Sequence, residues 1–253
     1  MNHKLVWISL LALSLLACKP AYHVTEVNGT ITEMNASYDH PPNRGMMALV
    51  QSYKTELDNE MNVVIATSAR YMEHRRPESL LTNLTADVMK EYGDEHIPGT
   101  DHIGVMNVHG HRATMPKGEV TVGNLYEIYS FDNTVALLEL KGSDLNKIFD
   151  AYARIGGAGI SSNVRLLIEE GKVKSVTVGG QPVDENRVYH VVTVDYLAEG
   201  NDNMNAFRDA ISLTDTGITL RDVMIEWAKE QTRQGKEIDS ELDGRISVVS
   251  QTN

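Results

Sequence analysis

Apolar positions recur along this chain with two spacings, and the switches between them mark the elements. Met46, Leu49, Val50, Tyr53, Leu57 and Met61 fall at helical spacing, which predicts a helix over that span. Val63 to Ala66 is a short apolar run and predicts a buried strand. A further helix is expected from Glu78-Ser79, just after Pro77, with Leu80, Leu84, Val88 and Tyr92 on one face. Ile103 to Asn107 reads as a strand entering a polar loop, Val108 to Lys117. Val122 to Ile128 then reads as a short helix and Thr134 to Leu140 as a strand. Gly142-Ser143 is expected to cap a helix that buries Leu145, Ile148, Phe149 and Tyr152.

The second half is richer in strands. Val164 to Glu169 and Val173 to Val178 flank a hairpin turn at Glu170-Gly171, and Gly179 to Pro182 makes another turn. Tyr189 to Val194 is a β-branched strand. Thr219 caps a last helix bearing Leu220, Val223, Met224 and Trp227, and Ile246 to Val249 reads as a final strand. Ahead of all this, Val24 to Val27 alternates over four residues and predicts a short strand in an otherwise loose, polar lead-in. The sum is an α+β class chain: a single mixed α/β domain over residues 46–253, with a mixed β-sheet packed with helices.

The extreme N-terminus has a different character. Lys4 precedes an apolar run from Leu5 to Leu16 that ends in Ala17-Cys18. The run is too short to span a bilayer, which takes roughly 20 apolar residues, but suits the core of a secretion signal. It resembles a bacterial lipoprotein signal, in which the cysteine is acylated. Residues 1–17 are therefore expected to be a signal peptide, Cys18 the lipidated residue, and residues 18–45 a tether. The expected location is the bacterial cell envelope, with the body exported and held to a membrane by lipid. Cys18 is the only cysteine, which excludes an intrachain disulfide and a cysteine-based zinc site. A net charge of −12 argues against nucleic-acid polymers as partners, but leaves room for a small anion held by one or two arginines.

Candidate chemistry gathers in four loops: Asn107 to Arg112, Ser130 to Asn133, Asp195 to Asp202, and Asp243 to Ile246. In this order, with Thr121 to Tyr126 ahead of Phe131 and Asn133, with Tyr196-Leu197-Ala198-Glu199-Gly200-Asn201-Asp202-Asn203, and with Glu78, Ser79, Asn83, Leu84 and Asp87, they resemble the C-terminal domain of the 5′-nucleotidase family. The resemblance covers about Val63 to Val249 and implies that domain's fold and a nucleotide-binding site. Phe131 and Tyr196 match the aromatic pair that sandwiches the base, and Asp202 the carboxylate that accepts from ribose hydroxyls. Arg112 matches an anion and ribose contact, and Asn107 and Asn133 orienting amides. The family's glycine-rich turn stands here as Gly200-Asn201-Asp202-Asn203, and Asn is the commonest substitute where positive φ is required. A second ligand arginine of some members has no direct match, although Arg75 and Arg76 lie just upstream of Pro77. Taken singly, Phe131 and Tyr196 each read better as core residues; the match of all the loops in order turns the balance towards a binding site.

Enzymes of the family hydrolyse phosphate esters at a two-metal centre in a separate N-terminal domain, whose histidine- and aspartate-rich motifs are not found ahead of the resemblance. No catalytic residue, metal ligand or cofactor is therefore assigned to this chain. Divalent metals are expected only in a catalytic partner. His109-x-His111 has the spacing of a metal pair, but reads as incidental histidines in a solvated loop. The resulting expectation is the nucleotide-binding subunit of a split 5′-nucleotidase acting in nucleotide catabolism, beside a separate metallophosphoesterase chain. The alternative is a free-standing nucleoside or nucleotide binder of the envelope.

Overall fold

The computed structural model describes residues 24–249, so the expected signal peptide and Cys18 lie outside the described residues. The chain divides at Val50 and Gln51 into two compact units. In the first, a 3-10 turn covers Ala36–Asp39, with Asn35 as its cap. The strand expected over Val24 to Val27 does not form; its side chains are exposed, and among the described residues no strand lies beside it to supply hydrogen bonds. The helix expected from the first apolar period is present as Arg44–Met61 (α1), and none of its residues is buried.

The second unit is built around a mixed five-stranded sheet. Its strands are β2 (His102–Met106), β4 (Thr134–Lys141), β5 (Gly159–Ile160), β9 (Val188–Val194) and β10 (Ser212–Thr219), in the order β10-β4-β9-β2-β5. β9 runs parallel to β2 and antiparallel to β4. A four-stranded sheet holds β6 (Val164–Glu169), β7 (Lys172–Val178), β8 (Gln181–Pro182) and β11 (Ile246–Val249), with β11 parallel to β6. β1 (Val64–Ser68) and β3 (Gly118–Thr121) form a separate antiparallel pair. The helices α2 (Leu80–His96), α3 (Val122–Ile128), α4 (Gly142–Arg154), α5 (Asp195–Ala198) and α6 (Leu220–Arg233) complete the unit. This is the α+β architecture that the apolar pattern and the resemblance imply.

Local chemistry explains where the helices start. Ser79 accepts from the Thr82 amide while Thr82 Oγ1 accepts from the Ser79 amide, a reciprocal box at the head of α2. Thr219 caps α6 as expected, accepting from Asp222 N at 3.1 Å. Gly142 is the first residue of α4, and the cap position belongs to Lys141, without a side-chain bond. Glycine is needed there because a Cβ would stand 2.0 Å from the Asp184 carbonyl oxygen. Gly104 on β2 is similar: a Cβ would stand 1.9 Å from Ala86 O, so α2 lies directly on the strand.

Two motifs of the sequence turn out to be one lock. Arg245 is almost wholly buried and donates to Asp87 Oδ1 at 3.0 Å, Ile160 O at 3.0 Å and Asp243 Oδ1 at 2.9 Å. Glu78 Oε1 accepts from Asn83 Nδ2 at 2.7 Å and from the Asp243 amide at 3.0 Å. The fourth candidate loop therefore ties β11 to α2 and β5. Arg245→Met is expected to cost about 3 kcal/mol in chemical denaturation, because it leaves Asp87 without a cation and Ile160 O without its donor, and leaves Asp243 with Arg165 alone at 3.3 Å.

A second buried network supports the loop after β2. His111 is 1 % exposed, with Nδ1 3.1 Å from Val108 O and Nε2 2.8 Å from Thr85 Oγ1. Tyr129 Oη lies 2.7 Å from the same threonine oxygen. A neutral imidazole has one N–H. The Val108 carbonyl claims it on Nδ1, so Nε2 is an acceptor; it shares the single Thr85 hydroxyl proton with Leu81 O, 2.9 Å from that oxygen, while Thr85 accepts from Tyr129. His111 is therefore not the solvated loop residue expected from its setting. Burial, reinforced by neighbouring His74, pulls its pKa down from 6.5 to about 4 against the opposing Val108 hydrogen bond. The unfolded chain thus binds a proton between these values that the folded chain refuses. Stability from this group is complete above pH 6.5 and lost as pH falls towards 4. Between pH 7 and pH 5 the loss is about 2 kcal/mol. In urea unfolding, His111→Asn is expected to show a pH dependence weaker by that amount; parallel pH profiles for the two proteins would contradict it.

Candidate functional site

The register of the large sheet decides which loops meet. β2 and β9 run parallel, with Ile103 opposite Val191 and Gly104 opposite Val192, so their C-terminal ends lie together. β4 runs the other way, with Val135 opposite Val194, so the loop entering β4 lies at that same end. Three of the four candidate loops are thereby brought to one edge of the sheet.

The first loop leaves β2 at Asn107, a side chain 8 % exposed. The strand end beneath it is fixed by Tyr152 Oη donating to Met106 O at 3.0 Å and Thr193 Oγ1 donating to Val105 O at 2.8 Å. Asn107 Nδ2 donates to Asp202 Oδ2 at 2.6 Å. Tyr196 Oη donates to Asp202 Oδ1 at 3.0 Å. Asn107, Tyr196 and Asp202, chosen on sequence, thus form one hydrogen-bonded cluster. Gly200, Asp202 and Asn203 take φ of +85°, +53° and +64°, so this turn is left-handed with a single glycine, at Gly200.

Arg112 and Phe131 form a second group, with the guanidinium carbon 5.7 Å from the ring centroid. The loop carrying Phe131 is pinned by the head of α6. Arg221 donates to Tyr129 O and pairs with Asp132, and the Leu220 amide donates to Asn133 O at 2.9 Å. Asn133 is half-buried, and that backbone bond is what places it. The core alternative for the two aromatics fails. Phe149 and Phe207 are fully buried, whereas Phe131 is 47 % and Tyr196 39 % exposed. Large apolar rings left open beside polar partners are available for stacking.

One residue joins that sequence reasoning did not select. Arg76 Nη1 lies 3.4 Å from His109 Nε2, and its Nε donates to Gly157 O at 3.0 Å, which sets a cation beside the first loop. The Arg75-Arg76-Pro77 string was the only signal for it. His109 is exposed while His111 is buried, so the pair does not converge on one ion. Among the described residues, no three His, Cys, Asp or Glu side chains are grouped as metal ligands. A groove of about 430 Å³ between α2 and α6, lined by Glu91, Tyr92 and Trp227 among others, shares no residue with these loops.

Similarity to known proteins places the chain in a family. The family model for the 5′-nucleotidase C-terminal domain matches residues 59–209. The chain is 28 % identical over 168 residues to an apyrase of Tabanus yao, covering 58 % of this chain and 30 % of that protein. It is 26 % identical over 234 residues to a 5′-nucleotidase of Diplobatis ommata, covering 81 % of this chain and 40 % of that one. Among solved structures, a 5′-nucleotidase precursor from Thermus thermophilus superposes with a TM-score of 0.70 at 27 % identity, over 85 % of this chain and 44 % of that one. The chain thus spans less than half the length of each of these relatives. With the family model covering more than half of its residues, the chain belongs to the 5′-nucleotidase C-terminal domain family.

Proposed function

We propose that this chain binds the nucleotide for a split 5′-nucleotidase-type phosphoester hydrolase, whose metal-dependent catalytic domain resides on a separate polypeptide. The observation that carries the reading is the juxtaposition at one sheet edge of open aromatic rings, a held carboxylate and two arginines. The parts divide the ligand by chemistry. Phe131 and Tyr196 offer faces for the base, where stacking contributes roughly 1–3 kcal/mol with little preference among bases. Asp202 offers acceptors for sugar hydroxyls. Arg112 and Arg76 offer donors suited to phosphate oxygens, with Asn107 and Asn133 as orienting amides. In this reading the chain's own residues bind and orient, and the divalent ions that hydrolysis needs belong to the partner. Acylation of Cys18 belongs to the same proposal, since two subunits on one membrane surface meet at raised effective concentration.

The test is hydrolysis of AMP with divalent metal by this chain, by a metallophosphoesterase subunit from the same genome, and by the two together. The pair is expected to exceed the partner alone, and the chain alone to be inactive. Activity of the chain alone, or a pair no faster than the partner, would overturn the split arrangement. Phe131→Ala is expected to weaken AMP binding about tenfold in calorimetry, without lowering thermal stability. Cys18→Ala is expected to reduce nucleotidase activity in cells more than activity of the mixed purified proteins; equal losses would leave the lipid no part in the reaction.

A further inference from the structure

The cluster around Asp202 contains more than nucleotide binding requires. Asp202 is an exposed carboxylate on a turn, and such a side chain ordinarily rotates freely in water. Here each of its oxygens is already held by a donor of the protein: Oδ2 by Asn107 Nδ2 at 2.6 Å, and Oδ1 by Tyr196 Oη at 3.0 Å. Both donors stand on fixed ground. Asn107 is buried at the end of β2, and its amide oxygen packs against Gly110, where a Cβ would come within 2.5 Å of it. Only glycine at 110 leaves room for the amide to turn its nitrogen towards Asp202. Tyr196 stands on α5 beside buried Leu197 and Ala198. The turn is tied back to that helix by Asn201 Nδ2 donating to Tyr196 O and the Gly200 amide donating to Leu197 O, each at 2.8 Å.

We infer that the Tyr196 hydroxyl is a specificity-determining group that, with the Asn107 amide, holds the Asp202 carboxylate in one orientation suited to a vicinal diol, so that the site selects ribonucleosides over 2′-deoxyribonucleosides. This deepens the nucleotide-binding reading and rests on it. A carboxylate has about four acceptor positions, and two donors leave one free on each oxygen. Two adjacent acceptors of fixed direction match two adjacent hydroxyl donors. A sugar lacking one hydroxyl leaves an acceptor unmatched, and sites built on such bonds discriminate strongly against the analogue without the group. Because the carboxylate is ordered before the ligand arrives, binding does not bear the cost of ordering it. The tyrosine keeps its proton for this role: its hydrogen bond to Asp202, then the carboxylate's charge, raises its pKa above the ordinary phenol value. The hydroxyl is thus additional to the ring face that stacks.

Tyr196→Phe separates the two roles, because it keeps the ring and removes only the oxygen. Adenosine and 2′-deoxyadenosine are titrated by calorimetry into the full chain and into this variant, with thermal midpoints measured to confirm equal folding. The wild-type chain is expected to prefer adenosine. In Tyr196→Phe that preference falls about tenfold, because adenosine, with two hydroxyls on the carboxylate, loses more affinity than deoxyadenosine, with one. An unchanged ratio, or equal losses for both nucleosides, would overturn the specificity role while leaving nucleoside binding intact. Wild-type protein that binds neither nucleoside would overturn the nucleotide-binding reading and this inference with it.

Discussion

The parallel pairing of β2 with β9, and the antiparallel pairing of β9 with β4, is the constraint on which the site depends. Asn107 leaves one strand, Tyr196 and Asp202 follow the second, and Phe131 precedes the third. They share one edge only because β9 lies between β2 and β4 in this register. A slip of one residue would turn every side chain of a strand to the opposite face. Val191, Val192 and Val194 on β9 and Ile103, Val105 and Met106 on β2 are buried on both faces, so it is the fit at particular places, such as Gly104 against the Ala86 carbonyl, that opposes a slip. The side-chain bonds from Thr193 and Tyr152 to the carbonyls of β2 add a polar check on the same alignment.

Much of this was legible in the chain, and the exceptions have physical causes. Helices carrying an apolar face and a capping residue, such as Leu80–His96 behind Ser79 and Leu220–Arg233 behind Thr219, announce themselves locally. β10 does not. Ser-Leu-Thr-Asp-Thr-Gly-Ile-Thr has no alternation, because it is an exposed edge strand held by backbone bonds to β4. β3 and β5, of four and two residues, are too short to show a period. The burial of His111 is invisible in its local sequence, because only the tertiary network of Thr85, Val108 and Tyr129 gives a loop histidine a buried place. Arg76 escapes for the related reason that its neighbour His109 lies in a different loop.

The motifs that carried the resemblance divide into two kinds. Glu78, Asn83, Asp87, Asp243 and Arg245 bond one another and hold elements together. Asn107, Arg112, Phe131, Tyr196 and Asp202 face outward or hold one another at the sheet edge. Nothing in the residue types separates the groups, since arginine, asparagine and aspartate occur in both. Burial does: Arg245 is 2 % exposed, whereas Arg112 lies open over Phe131.

The Arg245 lock also has a meaning for biosynthesis. Its partner Asp87 lies 158 residues earlier in the chain. Synthesis proceeds from the N-terminus, so α2 emerges long before the arginine that closes it against β5 and β11. Until then, Asp87 and Glu78 lack the partners that bring the two ends of the domain together, and closing so long a loop is entropically costly. A chain built this way cannot close the lock until almost all of the domain has been made.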